Sequence, residues 1–159
     1  MRLPCELERY YREVGPVELV IDHLETPFFL PALASLWEFQ AGYRWDMVTR
    51  QAVAAWNDHW LVVAEHGAEP LIFSSQTARI SLAHAANGAW IPEDLFADLN
   101  EMACCLSFLG SVLAEADDEP IAEDGEIHLE LRRAAEFGLT DLLRYPERAV
   151  HVLSVLGWS

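Results

Sequence analysis

His59, Glu65, His66 and Glu69 fall within one short stretch, HWLVVAEHGAEPLIFS, residues 59–74. Histidine beside carboxylates can relay protons or ligate a divalent cation. The spacing decides how far that chemistry goes. His59 and His66 flank an apolar run, so they make no compact local ligand pair. His66 with Glu65 and Glu69 could meet one cation at a hairpin tip. The same residues are also what an acidic surface places at any turn, and the stretch reads as the turn of a hairpin. His84 lies on a third apolar run and reads as an interior histidine rather than a base.

Other constellations are missing from the sequence. It contains no G-x-S-x-G elbow and no H-E-x-x-H pair. A phosphate-binding glycine–lysine loop is excluded outright, because all ten bases are arginine. Cys5, Cys104 and Cys105 form no CxxC pair and no disulfide framework, so they read as buried free thiols in a reducing compartment. The six tryptophans are dispersed and read as core residues rather than a base-stacking platform. The acids are numerous enough that chance carboxylate pairs are inevitable. No catalytic residue, metal ligand or cofactor is assigned on these grounds.

Charge narrows the partner. The 159 residues carry 26 acids against 10 bases, a formal net charge of -16. That field opposes nucleic acid and anionic membrane surfaces, and it accelerates encounter with a basic protein. It also keeps an apolar, tryptophan-rich chain dissolved. The start, MRLPCELERYY, lacks the apolar region of a secretory signal, and no apolar run reaches a membrane span of roughly 20 residues. The expectation is a cytoplasmic protein, one domain over residues 1–159.

The elements follow from periodicity and punctuation. Residues 3–15 read as a helix with Pro4 at its first position and Gly15 at its end. VELVI at 17–21 reads as a strand. Residues 31–41 read as a second helix, opened by Pro31, closed by Gly42, with Leu33, Leu36, Trp37 and Gln40 on one face. Residues 43–58 are ambiguous, with Ala52, Val53, Ala55 and Trp56 able to share a helical turn. HWLVVAE, PLIFS and RISLAHA read as three strands, and NGAW at 87–90 as a tight turn. A helix from Asp98 carries the apolar stripe Leu99, Met102, Ala103, Leu106, Leu109 and Leu113. In the C-terminal segment, 127–159, Thr140 can cap one turn, Pro146 can open the last helix and Gly157 can end it.

Residues 115–126, EADDEPIAEDGE, hold seven acids and no base. Pro120 and Gly125 break any helix, so the segment reads as an exposed acidic loop. Asp117, Asp118, Glu119, Glu123 and Asp124 are the candidate partner-binding residues.

Taken in order, LPCELERYYREVG, the strand from Trp60 to Gly67, the Pro-led strand Glu69–Phe73, ISLAHAANGAW and LFADLNEMACCLSFL resemble the SUKH superfamily. The resemblance covers residues 59–110 closely and 3–45 loosely. It leaves the acidic loop and the tail uncovered, and AHAANGAW is longer than the family's short His-Gly turn. It implies an α+β fold, a mostly antiparallel sheet of about four to six strands with helices around it and a helical tail. It implies no enzyme activity and no cofactor. Bacterial members are immunity proteins that bind and neutralise a cognate toxin, often a nuclease, and fungal relatives are cell-wall regulators and interaction hubs. The readings are therefore an immunity protein for a basic toxin, a regulatory or scaffold interaction domain with other protein partners, or, third, an enzyme using a carboxylate-rich surface.

Overall fold

The computed structural model describes residues 3–16, 19–21, 27–116, 120–121 and 127–158. The fold is α+β. Helix α1 spans Cys5–Glu13, and strands β1 (Leu19–Ile21) and β2 (Phe28–Leu30) follow. Then come β3 (Trp60–His66), β4 (Glu69–Ser74), β5 (Ile80–Ala86) and β6 (Ala89–Phe96). Helices α2 (Leu99–Ala114), α3 (Leu129–Leu143) and α4 (Pro146–Val155) complete the chain. The described elements fall into two compact units, one with α1 and β2 to β6, the other with α2, α3 and α4.

The sheet has six strands in sequence order, β1 to β6, and the pairs from β2 to β6 are antiparallel. Two tight hairpins set its register. His66 pairs with Glu69 across Gly67 and Ala68, and Gly67 has φ of 61°. A positive φ at the first of two turn positions is what a type II′ connection needs. Ala86 pairs with Ala89 across Asn87 and Gly88, both at positive φ, as a type I′ turn demands. The opening stretch is thus two strands and a turn.

Both faces of the central strands are covered. Leu61, Val62, Val63 and Ala64 on β3 and Leu71, Ile72 and Phe73 on β4 are buried without alternation. On β5, Ile80, Ser81, Leu82 and Ala83 are buried together in the same way. Trp60, expected inside, is half-buried at the start of its strand.

In the helical unit, α2 buries Leu99, Met102, Cys105, Leu106, Leu109 and Leu113, the expected stripe with Cys105 added. Ala103 lies at its half-exposed margin. Burial pushes the Cys105 thiol up to about 12, with the neighbouring Glu101 acting the same way, so it stays neutral. Cys5 and Cys104 are exposed, against the expectation of buried thiols. Arg148 of α4 donates to both carboxylate oxygens of Glu101 on α2, at 3.0 and 2.7 Å. Helix α3 passes so close to α2 that Gly138 leaves no room for a Cβ, which would stand 2.0 Å from the Phe108 ring.

Four local readings are corrected. Pro4 is the N-cap of α1 rather than its first residue. Residues 31–41 are turns with one 3-10 turn at Glu38–Gln40, because Gln40 is drawn away to a strand backbone, as described below. Residues 43–58 form no helical turn of Ala52, Val53, Ala55 and Trp56; Trp45 instead bridges Ala41 and Ala52. Thr140 lies inside α3 rather than capping a turn, while Pro146 opens α4 and Gly157 follows its end at φ of 74°. Strands β2 and β6 are additional to the sequence reading. Of the segment 17–21, residues 17 and 18 lie outside the described residues, and 19–21 form β1.

Candidate binding surface

Between β2 and β3 the chain runs through residues 31–59 with almost no regular structure, yet it covers one face of the sheet. Trp56 packs with Val62, Ile72 and Ala83 from three adjacent strands. Phe39, Tyr43, Val53, Trp60 and Trp90 surround that cluster and are partly buried. Tyr43, Trp56, Trp60 and Trp90 form one aromatic group. Trp56 meets Trp60 and Trp90 edge to face at 5.5 and 6.2 Å between ring centres. Tyr43 lies 5.7 Å from Trp56 and 5.5 Å from Trp90. Trp90, thirty residues on, therefore converges with the neighbouring Trp56 and Trp60, which corrects the expectation that the tryptophans are dispersed. Only Trp56 and Trp158 are fully inside.

Polar side chains hold this segment to the strand. β3 has a bulge between Val62 and Ala64, which interrupts its ladder. Gln40 pairs with the β3 backbone at Val62, beside that bulge: its Nε2 donates to the Val62 carbonyl at 2.8 Å, and its Oε1 accepts from the Val62 N–H at 2.9 Å. The same amide also donates to the Leu36 carbonyl at 3.0 Å. Buried amide groups need such partners, and this exchange is why Gln40 is fully buried. Arg44 donates to the carbonyls of Asp58 and Trp60, both at 3.1 Å, and pairs with the Asp58 carboxylate at 3.5 Å. The Trp56 indole donates to the Trp60 carbonyl at 3.2 Å. The Tyr43 hydroxyl donates to the Glu65 carboxylate. Burial first, and that carboxylate second, raise the phenol well above its usual range, so it remains a donor.

Two clefts open along this segment. One of about 200 Å³ is lined by Arg44, Trp45, Arg50, Val53, Trp56 and Asp58 among others. The other, of about 410 Å³, is lined by Trp37, Glu38, Ala41, Trp45, Met47 and Arg50. Trp45 and Arg50 belong to both. The turn 46–50 at their edge is tied by Asp46, whose Oδ1 accepts from the Val48 and Thr49 N–H groups and the Thr49 hydroxyl at 3.0, 2.6 and 2.9 Å. The turn leaves Met47 66% and Val48 89% exposed.

The histidines separate. His59 sits at the surface, 3.4 Å from the Ser75 hydroxyl. His66 is buried and stacked on Phe28 at 4.2 Å. His84 is not interior: its side chain is 41% exposed, with Nδ1 2.6 Å from Glu69 and Nε2 3.5 Å from Glu93. The hydrogen bond with Glu69 is the main reason its pKa is raised, with Glu93 adding to it. Glu69, placed with His66 by the sequence reading, is thus engaged by His84. Among the described residues no group of three His, Cys, Asp or Glu side chains could hold a metal ion. Asp117, Asp118, Glu119, Glu123 and Asp124 lie outside the described residues. The residues that sequence reasoning missed are Gln40, Arg44, Trp45 and Arg50. Their signal, a polar and aromatic run between two glycine-free strands, was too irregular to name a role.

The fold and this face define an α+β protein with an aromatic surface braced on a bulged strand. No helix among the described residues is long and apolar enough to cross a membrane. No family model, curated protein or solved structure matches the chain.

Proposed function

We propose that the chain is a protein-binding module of the SUKH kind, and in particular an immunity protein that neutralises a basic toxin. The observation that carries the reading is the charge, 26 acids against 10 bases on 159 residues. Such a field raises the encounter rate with a cationic protein and repels nucleic acid. A nuclease toxin is cationic because it binds phosphate, so an acidic inhibitor meets it with a complementary field. The sheet agrees with the resemblance in the order of its parts. Trp60 opens β3, Pro70 is the second residue of β4, and AHAANGAW spans the β5–β6 hairpin. In this reading the protein is a stoichiometric binder without catalysis or cofactor, and the exposed apolar pair Met47 and Val48 contributes contact area.

The test is co-expression with the product of a neighbouring toxin gene. Rescue of growth together with a one-to-one complex supports the reading. A purified pair that forms no complex sinks it. Charge adds a second measurement. Neutralising Asp117, Asp118, Glu119, Glu123 and Asp124 to Asn or Gln is expected to lower the association rate more than it raises the dissociation rate. The deficit shrinks as salt rises, since screening shortens the reach of the field to about 8 Å at physiological ionic strength. Unchanged association kinetics across the salt series would remove these five acids from the interface.

A further inference from the structure

We propose that the two clefts meeting at Trp45 and Arg50 form a docking site for a partner's peptide segment that presents an apolar side chain beside a carboxylate. The inference deepens the protein-binding reading and rests on it for the nature of the occupant.

The anion preference comes from Arg50. In the sheet-containing unit every other described arginine has an acidic partner: Arg9 with Glu13, Arg12 with Glu8, Arg44 with Asp58 and Arg79 with Asp94. Arg50 has no ion pair among the described residues, although acids outnumber bases heavily. The nearby carboxylates are engaged. Asp46 is used by three donors of its own turn, and Asp58 by Arg44. Glu38 lines the larger cleft with Arg50 and makes no ion pair among the described residues. It therefore supplies the rival outcome, recognition of a cation. An arginine guanidinium suits a carboxylate because its planar fork gives two parallel donors.

The apolar preference comes from the walls. Trp37, Trp45 and Met47 line the larger space of about 410 Å³, and Trp45 continues into the smaller one. Tryptophan and arginine are also the residue types that most often dominate binding energy at interfaces. The backbone of the turn that carries Met47 and Arg50 is held in place before binding. Arg50 donates its backbone N–H to the Asp46 carbonyl at 2.9 Å, and Asp46 donates its own to Gln51 at 2.9 Å. A site held in shape before binding loses less entropy on occupation.

The probes are N-acetyl-Phe-Asp amide, the same peptide with Asn, and the same with Lys. Each is titrated into the full chain while the Trp45 indole N–H signal is followed by NMR. The expected result is a saturable shift with Phe-Asp, weaker by about tenfold with Phe-Asn, as loss of a charged hydrogen-bond partner implies. Arg50→Gln should show the same weakening toward Phe-Asp and no difference between Asp and Asn peptides. Arg50 is exposed, so the variant should keep the wild-type amide spectrum. Met47→Ser, altering the apolar wall, should weaken both peptides together. Equal or tighter binding of Phe-Lys would transfer recognition to Glu38 and overturn the proposal. So would the absence of a saturable shift. A toxin complex that forms normally but is unaffected by Arg50→Gln also overturns it, while leaving the proposed function standing.

Discussion

The strands β3 to β5 and the segment 31–59 that packs on one face of them are held by different forces. The strands rely on backbone ladders and apolar volume, and their side chains are buried as a continuous run. The segment relies on side chains that reach backbone atoms: Gln40 to Val62, Arg44 to Asp58 and Trp60, Trp56 to Trp60. The first mode is tolerant of detail, since volume and apolarity are enough to form it. The second depends on individual atoms, and each buried polar group left alone costs about 1–3 kcal/mol. The exposed apolar turn and both clefts belong to the second region. Irregular chain braced by a rigid scaffold is where binding residues are concentrated in proteins generally.

The largest expected effect breaks the first mode. Phe73 is 1% exposed near the end of β4, paired with Leu61 on one side and Ile80 on the other. Phe73→Ala should cost about 3–5 kcal/mol in urea or guanidinium unfolding, since it empties a filled site in a covered strand. A loss below about 1 kcal/mol would mean that the strand core is loosely packed and that the contrast between the regions is overstated.

The next effect breaks the second mode while leaving apolar volume almost untouched. Gln40→Ala strips the Val62 N–H and carbonyl of their side-chain partners beside a bulge. The expected cost is about 2–3 kcal/mol. The indole environments of Trp56 and Trp60 should change with it, visible in near-ultraviolet circular dichroism, because the segment is no longer pinned. Gln40→Glu sharpens the test. It keeps an acceptor for the Val62 N–H but places a charge against the carbonyl, so it should be no better than alanine. If Gln40→Ala is neutral, the Val62 backbone groups are satisfied by other means.

What the sequence reveals follows the same division. Strands β3, β4 and β5 are legible because they are dense in β-branched and aromatic residues, and Gly67 and Asn87–Gly88 punctuate them. The helix from Asp98 is legible because its burial repeats at helical spacing. Strand β6 is not, because it is an edge strand in which exposed Ile91 and Pro92 are followed at once by Glu93 and Asp94, which blurs any alternation. Residues 31–41 imitate a helix, since Leu33, Leu36, Trp37 and Gln40 recur with the right period. That period misleads because Leu33 is 48% exposed and Gln40 answers to a strand 22 residues on. The aromatic group is invisible for a related reason. Trp90 reaches Trp56 and Trp60 only through the register of the successive pairings from β3 to β6, which no local pattern encodes. His84 reads as interior because its neighbours Leu82 and Ala83 are, although the strand is emerging into solvent at that point.

His84 is also where the sheet departs from its own rule, because a polar tie joins three of its strands. Glu69 on β4 and Glu93 on β6 flank the ring on β5, and both ring nitrogens face carboxylates. The charged imidazolium is therefore favoured in the folded state, chiefly through the Glu69 hydrogen bond. The linkage has a definite sign. A pKa raised on folding gives stability that is fully present below the unfolded histidine value of about 6.5, and that fades as pH climbs through the raised folded value. All three side chains are about two-fifths exposed, so solvent screening keeps the effect small, below about 1 kcal/mol. His84→Gln keeps a polar side chain of similar reach but cannot take up the proton. Urea unfolding of both proteins at pH 5.5, 7 and 8.5 isolates the ion pair. The stability gap should be widest at the lowest pH and close as pH rises. A gap that stays constant across the series would mean that His84 contributes by packing alone, and that the sheet follows one mode of cohesion to its open end.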